Sequence, residues 1–241
     1  MKFLYVLIIV IAAVAIAQDP GNILIYHDSF GGAGDEVLTA IGNLWPSATV
    51  MAYTYSTGGM AAFNADLGSI GSDLDIIIID CWCGFHSDLD WDGVKVLYDA
   101  GTVRVFASCW KWSSGAVLGD AMGVTGYIDI TTTVIPHYAW EAGHDITSGI
   151  TDWSWAPPTG PDVINIKMAV SDATPVTGWA DTPTPGEAGI CVANDGRSVI
   201  SGYTPAFATE GVAIWENILE FMWLGPQALQ NGTWAGIKAS F

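Results

Sequence analysis

Positive charge is scarce in this chain: seven Lys and Arg stand against 25 Asp and Glu, a formal net charge of −18. A surface with that balance repels phosphate backbones and anionic headgroups, which excludes nucleic acid and anionic membranes as partners. Cysteine is scarce as well. Cys81 and Cys83 form a C-x-C pair, but no second pair follows at metal-ligand spacing, and no two histidines stand at H-x-x-x-H spacing. The sequence signature of a zinc-like centre is therefore absent. No internal repeat and no proline-rich linker divides the chain, which argues for one domain. After residue 17 there is no apolar run near the roughly 20 residues that a membrane span needs.

What the chain does have begins with a leader. Lys2 supplies a one-charge n-region, residues 3–16 are apolar, and Ala15-Ile16-Ala17 is an A-x-A cleavage signal before Gln18. Residues 1–17 read as a secretory signal peptide, residues 18–225 as a single domain and residues 226–241 as a tail. The mature protein is expected outside the cytoplasm, in a periplasmic, extracellular or secreted location, without membrane attachment after cleavage. In that compartment the even set Cys81, Cys83, Cys109 and Cys191 favours disulfides over metal. Charged residues make up only 13% of the chain while Trp reaches twelve, so aromatic surface is its unusual resource.

Hydrophobic periodicity gives the architecture. Residues 22–26, 48–53, 74–80 and 103–107 read as strands. Residues 35–44, 60–67, 90–98 and 113–122 read as the helices between them. Four consecutive isoleucines at 76–79 imply burial on both faces, as in a central parallel strand. Alternation of strand and helix at this spacing predicts right-handed βαβ units. From residue 124 the pattern turns β-rich, with short strands expected at 127–134, 163–169, 174–180, 189–192 and 198–203. Asn194-Asp195-Gly196 marks a hairpin turn, and residues 210–224 close the domain as a helix. The expected class is α/β: a flavodoxin-like, mostly parallel sheet flanked by helices, with an added C-terminal β-rich portion.

Residues 103–123 read as a buried strand, a sharp turn and a helix. With the loop His144-Asp145-Ile146-Thr147-Ser148-Gly149-Ile150, the strand end Tyr203-Thr204-Pro205-Ala206 and the closing helix, this order resembles the class I glutamine amidotransferase-like fold, including its ThuA-like branch. The resemblance implies a nucleophile near Trp112 and a His and a Glu at Thr204 and Ala206. Nucleophilic hydrolysis of glutamine needs a thiolate, a His and an orienting carboxylate, and these positions carry none of them. The resemblance therefore implies the fold with a degenerate catalytic triad. Cys109 ends one central strand, and Cys81 and Cys83 follow another. Neighbouring strands lie about 4.8 Å apart, so Cys109 is expected to pair with Cys81 or Cys83.

Ligand sites in parallel α/β sheets form beyond the carboxyl ends of the strands. The loops expected there, with 137–144, carry Phe30, Trp82, Phe85, Trp110, Lys111, Trp112 and Trp140, an aromatic rim suited to stacking on sugars or other flat ligands. They also carry His27, Asp28, His86 and Glu141, the acid–base candidates if the chain is hydrolase-like. Asp88, Asp90 and Asp92 imitate a calcium loop, although Asp90 equally suits the N-cap of the next helix. No cofactor is implied apart from calcium on that weak match. The expectation is an exported, non-catalytic binding or interaction module for a small molecule or glycan. The alternatives are a hydrolase-like enzyme in the same crevice and a structural component of a cell-surface assembly.

Overall fold

The computed structural model describes residues 19–28, 35–55, 59–82, 86–109, 112–130, 136–154 and 165–225. The expected leader and tail lie outside these, as do Phe30, Cys83, Phe85, Trp110, Lys111 and residues 131–134 of the expected fifth strand. The first half of the chain alternates β1 (Asn22–Asp28), α1 (Asp35–Leu44), β2 (Thr49–Tyr53), α2 (Gly59–Ile70), β3 (Ile76–Cys81), α3 (Trp91–Asp99), β4 (Arg104–Cys109) and α4 (Trp112–Met122). The second half supplies β5 (Val124–Ile130), β6 (Tyr138–Ala139), β7 (Asn165–Val170), β8 (Thr174–Pro175), β9 (Thr177–Gly178), β10 (Ile190–Val192) and β11 (Val199–Ser201). It ends with α5 (Gly211–Leu224).

Seven strands form one sheet in the order β2-β1-β3-β4-β11-β10-β8. The first five run parallel, whereas β10 and β8 add antiparallel. The protein is therefore α/β, with a mostly parallel sheet, flanking helices and extra antiparallel strands from the C-terminal side. Strand alternation sorts the core into two layers. Leu24, Ile77, Ile79, Val105 and Ile200 pack under α2, α3 and α4. Ile23, Ile25, Ile76, Ile78, Phe106 and Val199 face α1 and α5, where Trp215 lies 4.5 Å from the Phe106 ring. The central isoleucines are fully buried on both faces, as their uninterrupted run requires.

Two expectations need correction. β1 continues through His27 and Asp28, so these are strand residues rather than loop residues. The single strand expected over 174–180 is two short ones: β8 pairs with β10, while β9 pairs with β6 outside the main sheet. Pro175 cannot donate to a ladder, and a proline at that point breaks a continuous strand. The remaining pairs, β5–β7 and β6–β9, form two small antiparallel sheets beside the large one.

Candidate functional site

Registration of the parallel strands draws polar residues into one row at their carboxyl ends. His27 of β1 is opposite Asp80 of β3, Asp80 is opposite Ser108 of β4, and Ser108 is opposite Ser201 of β11. All four share the face covered by α1 and α5, by alternation from Ile78 and Phe106. All four are buried. The carboxylate of Asp80 accepts hydrogen bonds from Trp82 Nε1 at 2.7 Å and from Thr204 Oγ1 at 2.8 Å, and Trp82 Nε1 also reaches Ser108 Oγ at 3.1 Å. A buried carboxylate thus clasps three strand ends together, β3 through itself, β4 through Trp82, and the segment after β11 through Thr204.

The row has the wrong order for nucleophilic catalysis. Asp80 stands between His27 and Ser108, and two strand spacings separate the histidine from the serine by roughly 10 Å. A serine and its base must lie within about 3 Å. Burial lowers the pKa of His27 despite the opposing charges of Asp35 and Glu36, so its neutral form is favoured. Thr204 and Ala206 are both buried, and neither side chain can act as an acid–base group.

The other candidates disperse. Trp82 and Trp112 are each 1% exposed. Trp112 opens α4 and stacks on Tyr127 at 5.4 Å. The two rings belong to the packed interior rather than to an open rim. Asp28 closes β1 opposite Cys81, and His86 opens a short turn, His86–Asp88. Glu141 is exposed on the turn after β6. Asp90 caps α3, accepting from Gly93 N at 2.9 Å. Among the described residues no three His, Cys, Asp or Glu side chains converge to hold a metal. Cys81 and Cys109 are buried and directly opposite across β3 and β4. Among the described residues no disulfide links Cys81, Cys109 and Cys191 to one another.

Two histidines expected near the crevice are structural. His137 stacks on Tyr203 at 4.5 Å, meets Trp179 edge-on at 4.5 Å, and shares a 2.7 Å hydrogen bond with Thr177 Oγ1. Burial pushes its pKa down to about 3. Gly189 admits this ring, because a Cβ there would lie 2.1 Å from His137 Cε1. His144 accepts from Ile146 N, and burial lowers its pKa against the charges of Asp145 and Glu141.

Trp140 alone of the described aromatic candidates borders open space. It lines a cavity of about 440 Å3 on the β-rich side, with Met168, Val170, Pro175, Pro183 and Pro185. Its backbone N–H donates to Val176 O and its Nε1 to Ala180 O at 2.8 Å. Sequence reasoning missed this cavity. The run Thr182-Pro183-Thr184-Pro185-Gly186 reads as a turn, and nothing in it says that Trp140 folds back over it. Asp80 was more legible, as a charge ending a run of four isoleucines.

No protein-family model and no curated protein matches the chain. Solved structures resemble it at low identity. They include the α-L-fucosidase isoenzyme 2 of Paenibacillus thiaminolyticus, at TM-score 0.49 and 11% identity over 86% of this chain and 33% of that one. The cold-adapted β-galactosidase of Rahnella sp. R3 gives 0.47 and 10% over 84% and 30%. The glutaminase domain of Trypanosoma brucei CTPS, solved with bound acivicin, gives 0.44 and 9% over 83% and 92%. The chain spans about a third of the length of the two glycosidases.

Proposed function

We propose that this chain is an exported, non-catalytic binding module built on a glutamine amidotransferase-like sheet of the ThuA-like kind. The observation that carries the reading is the clasp at Asp80. At the strand ends where related architecture would hold a reacting thiol and its base, the carboxylate is engaged by Trp82 and Thr204, and its neighbours are buried. The group there holds strands together. The cavity beside Trp140, by contrast, is open to a ligand. Residues 1–17, with their A-x-A signal, support export. A glycan ligand would stack on aromatic residues such as Phe30, Phe85 and Trp110, with Lys111 as a polar partner, all outside the described residues.

Turnover is the direct test. The mature chain is incubated with L-glutamine and with nitrophenyl esters and glycosides, and release of ammonia and nitrophenol is followed. Background rates are expected throughout. Activity that disappears in His27→Gln would sink the reading in favour of the hydrolase-like alternative. Binding is then tested on a glycan panel with the same preparation.

The register supports a further element of the proposal. Cys81 and Cys109 face each other at a strand spacing of about 4.8 Å, inside the Cα range of disulfides, so Cys109 is proposed to pair with Cys81 or Cys83 after export. Alkylation of the secreted protein without reductant should leave Cys109 unlabelled. Rapid labelling of Cys109 would show a reactive thiol instead.

A further inference from the structure

We infer that the cavity beside Trp140 is a binding site for a small, uncharged aromatic molecule. This rests on the binding-module reading and specifies its ligand class. At about 440 Å3 the cavity falls in the range of small-molecule sites, about 300–1,000 Å3. Its wall combines one indole, aliphatic side chains and three prolines, whose ring C–H groups suit the face of another ring.

Polar complementarity narrows the class. Trp140 and Thr184 are the lining residues with polar side-chain atoms, and both donors are engaged inside the protein. Trp140 Nε1 donates to Ala180 O, and Thr184 Oγ1 donates to Thr182 O at 3.0 Å. A sugar or other polyhydroxylated ligand would lose hydrogen bonds to water and recover few from this wall. Of the charged residues flanking the lining segments, Lys167 and Glu187 pair with each other at 2.5 Å, while Glu141 beside Trp140 is exposed to solvent. Lys167 is therefore not left to attract an anion, which Glu141 and the chain's net charge of −18 also oppose.

The site is also pre-formed. A Cβ at position 178 would lie 1.9 Å from Trp140 Cζ2, so Gly178 lets the indole seat against the β9 backbone. Two hydrogen bonds then fix its position. The prolines carry a locked φ. Binding there orders little that is not already ordered, which favours affinity.

N-phenyl-1-naphthylamine, an uncharged probe that fluoresces in apolar surroundings, tests the inference on the whole mature chain. Saturable binding of one molecule per chain is expected, with a shift of the Trp140 indole N–H resonance. Trp140→Ala should weaken binding at least tenfold. Because Trp140 also packs on Gly178, the deciding variant is Thr184→Trp on the exposed rim, which fills the cavity and should abolish binding while cooperative unfolding is retained. Unsaturable binding, or unchanged affinity in folded Thr184→Trp, would overturn the site. Tighter binding of the anionic analogue 8-anilinonaphthalene-1-sulfonate, or displacement of the probe by simple sugars, would overturn the ligand class. If the probe fails while the glycan panel still retains the protein, the binding-module reading survives and this site does not.

Discussion

Thr204 and Asp80 are far apart in sequence and meet in the interior through a single hydroxyl. Thr204→Val keeps the shape and removes that donor from a buried carboxylate. The expected loss is about 1–3 kcal/mol, read as a lower denaturation midpoint with an unchanged slope. No loss would mean that water or another donor takes the place of Thr204. His137 gives a second residue-scale prediction. Its folded pKa of about 3 lies below its ordinary 6.5, so the unfolded chain takes up the proton first. Stability from this group is complete above pH 6.5 and falls as pH drops from 6.5 towards 3, by up to about 1.4 kcal/mol per pH unit. Its ring resonances should stay fixed from pH 8 to pH 5 while the unfolding midpoint declines. A ring that titrates near 6 would contradict the aromatic enclosure. These details were only partly legible beforehand. The Asp80 side chain follows a buried run, which marks it as special, but its partners come from two other strand ends that only the fold assembles. Trp82 and Trp112 misled for a related reason: their loop positions suggested exposure, and the chain turns both indoles inward.

At the scale of the element, local chemistry was easier to read. α1 spans the residues that its apolar spacing marks, and α3 begins just after Asp90, the cap its sequence offers. Asp90→Ala should cost about 1 kcal/mol by thermal or chemical unfolding, to the same extent in calcium and in EDTA. A loss seen only with calcium would restore the metal-loop reading of Asp88, Asp90 and Asp92. Three of the parallel strands of the first half, β1, β3 and β4, were legible because each buries a continuous apolar run, whereas β2, at the sheet edge, is exposed or half-buried along its length. In the β-rich half β5, β7, β10 and β11 overlap the expected ranges, whereas the two-residue strands β6, β8 and β9 carry too few side chains to show a period. Pro175 and the 182–186 turn decide there which backbone groups can pair. Hydrogen bonding also reaches across elements. Arg197, in the β10–β11 turn, donates to the carbonyls of Met222 and Trp223, where α5 has carbonyls without helical partners. The hairpin therefore caps the closing helix.

For the whole molecule, charge imbalance is the dominant global property. Two ion pairs, Lys95–Asp99 and Lys167–Glu187, are present among the described residues, against a net charge of −18. Most carboxylates therefore repel one another across the surface. Raising sodium chloride from about 10 mM to about 0.5 M shortens the screening length from about 30 Å to a few ångströms, and the melting temperature should rise. A fall would mean that attractive pairs outweigh the repulsion. The continuous seven-stranded sheet predicts one cooperative transition at either salt concentration.

The sheet order also sets a timetable. β4 finds one neighbour at once in β3, but its other neighbour is β11, where Val199 meets Phe106, and everything from α4 to β10 is synthesised in between. α5, which covers Ile23, Ile78 and Phe106, comes later still. A growing chain therefore carries an open strand edge and an uncovered apolar face through most of its synthesis. Such edges invite pairing with other chains. The molecule's most vulnerable moment is its own birth, and its length is set by how long residues 199–224 take to arrive.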